Sequence, residues 1–478
     1  MYFFYIYYYN FINMNHFIFI TIIFLLNFID NYCIEHHESE EELLFVYEHC
    51  RHGNRAPNDK KNGLYNYDTK KDIYNIYWEN LGRLTESGKL QHFFLGLRNK
   101  YRYKNFINLT QYNTKEIILR TTGSKRSTES LYYQLLGMYY QEDTNNEKDN
   151  IIFNDEIYKY SMPPNIVNWE KNKEFIELNN KINSFIQNKN IKGLNLTSFN
   201  SGTKKDFNIK TIKKNLVFGT QSCKNHEKYI KEQRNIYKEI IKTNFIDNYY
   251  SKLQQIINFK DESFFYKYSI SKSLADYFIS GYLNGRKELI NFSKETGINL
   301  DDYYEKCKNV YFFFIYNIYC HSKTCILSVS LMMNEIINYF DEAIKTSDNK
   351  NKKRRKSKEI KMLIDLGHDV TVNNFHVLMN KAFNINYTFC TFACNIYFEL
   401  YKNKTNNNYI IKYYNNDLLM LNIEYYNFKE RIKKLLWNER DIDNFCNGKK
   451  ENIFKIHPEQ DLINDKKTKD YSNKINDL

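Results

Sequence analysis

The chain has 478 residues, 42% of them hydrophobic, and a formal net charge of +13. That is enough for a real core, in one large domain carrying an insertion or in two or three ordinary domains. The charge does not make a nucleic-acid binder: Lys350–Glu359 alone holds seven basic residues and one acidic one, so one solvated insertion loop carries +6 of it.

The first feature along the chain is an apolar run, Phe17–Phe28, broken only by Thr21 and Asn27. Its length suits a signal-peptide h-region and falls short of the about 20 residues that a membrane span needs. No Lys or Arg precedes it, and a start at Met14 would give a more ordinary leader. Residues 1–33 are therefore expected to be a signal peptide. The alternative is an uncleaved anchor that associates the protein with a membrane. His36 and His37, beside the acidic stretch from Glu38 to Glu42, read as a solvated spacer and not as a metal site.

Leu43–Glu48 reads as a short buried strand that runs into Arg51-His52-Gly53-Asn54-Arg55-Ala56-Pro57. An amphipathic helix capped near Thr85 follows, with Leu90, Phe93, Phe94, Leu97 and Tyr101 on one face. Glu116–Thr122 reads as a second strand, succeeded by a helix through Leu131, Leu135 and Met138. This alternation over residues 34–153 predicts an α/β fold with ligands at the carboxyl ends of the strands. Residues 154–325 lose the pattern to polar spacers and Tyr-rich helical stretches, with a loop at Gln187–Asn208, and are expected to form a helical insertion. The pattern returns over residues 326–456. There a helix from Ile326 to Phe340, the basic loop, and a strand ending in Gly367-His368-Asp369 precede a helix from Val370 to Met379. A hairpin of Asn395–Tyr401 with Tyr409–Tyr414 closes the recognisable part, and residues 457–478 are charged and expected to be loose.

Removing Cys33 with the leader leaves eight of the nine cysteines. Cys50 is expected to be a free core thiol. Cys223, Cys307, Cys320, Cys325, Cys390, Cys394 and Cys446 could supply disulfides in an oxidising lumen, with the pairing open. No two pairs have matching zinc-ligand spacing. Sequons at Asn108, Asn195, Asn291, Asn386 and Asn403 agree with a lumenal protein.

The strand ends carry the chemistry. Arg51, His52 and Arg55 follow the first strand, Arg120 ends the second, and His368 with Asp369 ends a third. Converging guanidiniums repel one another unless an anion neutralises them. A phosphoryl group fits the arginine fork, and its transition-state charge is what such forks stabilise. Gly53 allows a close backbone approach, and Pro57 with Ala56 stiffens the loop that aims Arg55. His52, held neutral by cationic neighbours, is the candidate nucleophile. Asp369 is the candidate proton donor and the later base for water. It must be protonated when substrate binds, so activity is expected to favour acid. The helix it starts favours the ionised form, and a bound phosphate dianion opposes that. Arg126 reads as a structural ion-pair arginine.

The segment "RHGNRAP", Arg51–Pro57, resembles the RHGxRxP signature of the histidine acid phosphatases, branch 2 of the histidine phosphatase superfamily. "GHDVTV", Gly367–Val372, resembles their distal His-Asp motif, and "LTESGKLQHFFLGLRNKYR" and "LRTTGSKRSTES" are similar to further family segments. The resemblance covers Leu43–Met138 and Ile326–Asn416. It departs at Asn54, often acidic in the family, and at Val329-Ser330, where relatives commonly carry glycines. It implies a mixed central sheet flanked by helices, with an inserted smaller α-helical cap domain. It also implies His52 as covalent nucleophile, Asp369 as proton donor, and Arg51, Arg55, Arg120 and His368 as the phosphate pocket. No metal or cofactor is implied. The implied substrate is a small-molecule phosphate monoester, and the implied location is the secretory pathway, lysosomal, vacuolar or secreted. A phytase-like inositol-phosphate phosphatase and a catalytically silent anion- or membrane-binding relative are the alternatives. The oligomeric state, a homodimer included, stays open.

Overall fold

The computed structural model describes residues 40–57, 81–139, 151–152, 192–193, 207–212, 223–231, 234, 268–283, 293–294, 297, 299–320, 325–348, 360–386 and 390–447. The expected leader, most of the Gln187–Asn208 loop, the basic loop and the C-terminal tail lie outside the described residues.

Seven strands form one sheet: β1 (Glu41–Arg51), β2 (Ile117–Thr121), β3 (Ile209–Thr211), β4 (Met362–Gly367), β5 (Asn395–Asn403), β6 (Tyr409–Asn415) and β7 (Leu418–Glu424). Their spatial order is β3-β2-β4-β1-β5-β6-β7. The first four in that order run parallel, and β5, β6 and β7 continue from β1 as an antiparallel meander. The sheet is mixed and the fold α/β, as expected.

Side-chain alternation along the strands builds two cores. Phe45 and Tyr47 of β1, Leu363 of β4, and Ile396, Phe398 and Leu400 of β5 face the larger one. It is completed by α5 (Cys325–Asp348), α6 (Asp369–Phe383) and α7 (Tyr425–Lys433). Val46 and Cys50, with Ile364 and Leu366, face the other, which α1 (Glu86–Tyr103) and α2 (Lys125–Met138) close through Leu95, Leu131 and Leu135. Two helices from the region of the expected insertion, α3 (Tyr268–Leu283) and α4 (Leu300–Ile315), join the larger core through Phe278 and Phe314. A last short helix, α8, spans Glu439–Asn447.

β1 is longer than its apolar run. Glu48 and His49 continue it although both are fully buried. The Glu48 carboxylate accepts from Cys50 Sγ, Gln134 Nε2 and Asn99 Nδ2; His49 Nδ1 lies 3.1 Å from the Tyr47 hydroxyl, while its Nε2 is buried without a partner. Thr85 caps α1 as expected, its hydroxyl accepting from Gly88 N at 3.2 Å. Disulfides join Cys223 to Cys446 and Cys390 to Cys394, while Cys50, Cys307, Cys320 and Cys325 are buried outside these two bridges. Among the described residues no helix is long and apolar enough to cross a membrane.

Candidate active site

The parallel register sets the site. Arg51 pairs with Gly367 and Thr121 with Leu366, so β1, β4 and β2 end side by side. The residues just past those ends therefore meet. The rings of His52 and His368 are 5.4 Å apart, edge to face.

The loop after β1 is fixed by backbone contacts. His52 N donates to Gly367 O, Ala393 N donates to His52 O, and Gly53 N donates to Ser130 Oγ at 3.0 Å. Gly53 sits so close to the start of α1 that a Cβ there would lie 2.3 Å from Gly88 O. Its close approach is thus to a helix backbone as well as to any ligand. Asn54 replaces charge with hydrogen bonds. Its amide nitrogen donates to Ser87 Oγ and Ser280 O, and its oxygen accepts from Arg55 N.

His52 is 3% exposed, and its Nδ1 lies 2.9 Å from Gly53 O. A carbonyl can only accept, so Nδ1 carries the proton and Nε2 the lone pair. Burial pushes the imidazole well below its ordinary pKa, and Arg126, Arg51, His368 and Arg55 push the same way. His368 is lowered to about 4, again chiefly by burial and then by Arg126. Its Nε2 lies 3.3 Å from Thr122 Oγ1, whose own proton goes to Ser127.

Three arginines face these histidines. Arg51 lies 4.1 Å over the Phe392 ring, donates from Nη1 to Cys390 O, and pairs through Nη2 with Asp369 Oδ2 at 3.0 Å. Arg55 is gripped by Asp276 of α3 through two bonds of 2.9 Å. Arg126, in the first turn of α2, has its pKa lowered to about 10 by burial and by the proximity of Arg55 and Arg51. Each of the three keeps a buried Nε–H without an acceptor.

Arg120 departs from expectation. It lies inside β2, opposite Asp365 of β4, and strand alternation turns both away from the loops and toward α5. Its Nε and Nη2 bind the two Asp365 oxygens at 2.6 and 2.7 Å, and Nη1 binds Glu335 at 2.9 Å. Its fork is consumed by carboxylates. Arg126, expected in a structural ion pair, stands instead among the groups around His52. The signal that could have found it is its place in the first turn of the helix after β2, behind the Ser124 cap. Arg51, His52, Arg55, His368 and Asp369 come together; Arg120 does not.

A model of the histidine phosphatase superfamily (branch 2) matches residues 42–416. The chain belongs to that family. Lysosomal acid phosphatase of Xenopus laevis is 36% identical over 98 residues, which is 20% of this chain and 21% of the relative. That of Homo sapiens is 35% identical over 99 residues, with the same shares. The match thus spans about a fifth of the length of these relatives. Among solved structures, Hafnia alvei phytase in complex with myo-inositol hexakis sulphate aligns with a TM-score of 0.47 at 9% identity, over 84% of this chain and 98% of that one. The phytase from D. castellii aligns with a TM-score of 0.46 at 11% identity, over 88% and 85%. Among the described residues of this histidine phosphatase, no group of three or more His, Cys, Asp or Glu is placed to hold a metal ion.

Proposed function

We propose that the protein hydrolyses phosphate monoesters through a phosphohistidine formed on His52. The observation that carries this reading is the set of three buried guanidinium Nε–H groups, on Arg51, Arg55 and Arg126, gathered round a histidine whose Nε2 holds a lone pair. A buried donor without an acceptor is costly, and Asp369 on Arg51 and Asp276 on Arg55 still leave all three Nε–H groups unmet. A phosphoryl group supplies oxygens for the donors and an electrophile for the lone pair. In this assignment Arg51, Arg55, Arg126 and His368 hold the phosphoryl oxygens, with Arg126 where Arg120 was expected.

His52 Nε2 attacks phosphorus, the bond to the leaving oxygen breaks, and the Asp369 carboxyl gives that oxygen its proton. The Asp369 carboxylate then takes a proton from water. The water oxygen attacks phosphorus, the N–P bond breaks, and inorganic phosphate leaves with His52 restored. Family membership and the lysosomal acid phosphatase relatives support the phosphatase class. The same relatives, with the two disulfides, support a lumenal, lysosomal or secreted location.

The test is hydrolysis of p-nitrophenyl phosphate from about pH 4 to pH 8, with EDTA present, by wild type, His52→Ala and Asp369→Asn. Activity that favours acid and vanishes in His52→Ala is the expected result. A folded wild type inactive on aryl phosphates would sink the reading.

A further inference from the structure

Helix α4 comes from a part of the chain where the sequence holds no motif, yet it reaches the proton donor. Tyr311 is buried, and its hydroxyl donates to Asp369 Oδ2 at 3.0 Å. Arg51 Nη2 approaches the same oxygen at 3.0 Å, and Oδ1 accepts from Val370 N at 2.9 Å. Donors from α4, β1 and α6 thus grip the carboxylate from three directions. Tyr311 also lines a small cavity with Arg51, Asp276, Ile279, Lys308, Thr391 and Phe392. The Arg51 guanidinium carbon lies 5.7 Å from the centroid of the Tyr311 ring.

We propose that Tyr311 is a positioning residue that aims Asp369 Oδ2 at the leaving-group oxygen. The proposal rests on Asp369 as proton donor. A carboxylate held through Oδ1 and one arginine can still rock about its Cβ–Cγ bond; a second donor on Oδ2 from a separate element stops that motion. The other charged and titratable groups near Asp369 are His368 beside it, Arg55 on the loop, Arg126 on α2, and Cys320 on the turn after α4. Arg51, Arg55 and Arg126 attract the carboxylate wherever it points. Direction has to come from hydrogen bonds, which fall off steeply with angle.

A residue that serves proton donation has a leaving-group signature. A p-nitrophenolate departs with little protonation, whereas an alkoxide needs it. The experiment compares kcat/KM for p-nitrophenyl phosphate and glycerol 2-phosphate in wild type, Tyr311→Phe and Tyr282→Phe, across pH. Tyr282 bonds Asp301 near the exposed ends of α3 and α4, so its loss perturbs the same helices away from the site. Tyr311→Phe is expected to lose roughly tenfold more on the alkyl ester than on the aryl ester. The basic limb of its profile should move to higher pH, because the ionised carboxylate has lost a donor. Tyr282→Phe should match wild type. The 3-fluorotyrosine variant at position 311, a stronger donor of nearly the same shape, should move the limb to lower pH. Equal losses on both esters with an unmoved profile, or no loss at all, would overturn the proposal while leaving the phosphatase reading intact. A wild type inactive on both esters would remove that reading and this one with it.

Discussion

A guanidinium near a strand end can serve a ligand only through an N–H that is not already taken. That condition separates Arg120, bound through Nε, Nη1 and Nη2, from Arg51, Arg55 and Arg126, whose Nε–H groups have no acceptor. Arg120 gives both edges to Asp365 and Glu335, and Asp365 is fully buried. Removing the arginine would strand that carboxylate. Arg120→Ala is therefore expected to destabilise the protein by about 3 kcal/mol, measured by urea unfolding. Among the described residues no carboxylate is hydrogen-bonded to Arg126, and the repulsion of Arg55 and Arg51 opposes the attraction of Asp369 and Asp276. Arg126→Ala should keep or raise the melting temperature while kcat/KM falls by roughly a hundredfold, and inorganic phosphate should inhibit less well. The reverse pattern, a stable Arg120→Ala with impaired phosphate binding, would return Arg120 to the pocket.

At the scale of elements, α3 is fastened to the loop after β1 by Asp276 on Arg55 and by Ser280, which accepts from Asn54 Nδ2 and donates to Arg55 O. Asp276→Ala would leave Arg55 buried without its partner, a loss of about 3 kcal/mol. An oxyanion can replace the missing carboxylate, so saturating phosphate should raise the melting temperature of Asp276→Ala more than that of wild type. Equal shifts would mean that Arg55 does not face the ligand. What was legible in the sequence follows from the same contacts. Arg51, His52 and Arg55 are neighbours in the chain, and His368-Asp369 ends an unmistakable apolar strand, so sequence order alone exposes them. The strand expected over Leu43–Glu48 runs on to Arg51, and nothing local shows that a buried Glu48 is satisfied, because its partners include Asn99 and Gln134 on helices far along the chain. Asp276 and Tyr311 carry no motif at all. Their role exists only once α3 and α4 have packed against the larger core, and no local pattern encodes that. Arg120 stands at a strand end, but position there does not set direction: alternation turns its side chain to the face beneath α5.

Across the whole molecule, acid is the condition that the fold resists. All six histidines among the described residues are buried with lowered pKa values: His49 and His376 to about 3, His92, His226 and His368 to about 4, and His52 well below its ordinary value, each chiefly by burial. Unfolded, each titrates near its ordinary value of about 6.5. The unfolded chain therefore binds protons that the folded one refuses, and the stability present above about pH 6.5 is lost as pH falls toward 4. Glu48 works the other way. Burial raises it to about 7, so its contribution is complete below about pH 4.5 and lost as pH rises through 7. Glu48 and Asp365, which burial also raises, are two carboxyls against six imidazoles, each of which costs on the order of 1 kcal/mol between pH 6.5 and 5.5. A phosphate dianion beside His52 and His368 would favour their protonated forms and lift that part of the loss, whereas His49, His92, His226 and His376 do not face the phosphoryl group in this assignment and gain less. The melting temperature is thus expected to fall from pH 7 to pH 5, with phosphate recovering a part of the drop in wild type and less of it in Arg126→Ala. A melting temperature that stays level or climbs on acidification would mean that the buried imidazoles are not held neutral. His52 would then lack the lone pair on which the nucleophile assignment stands.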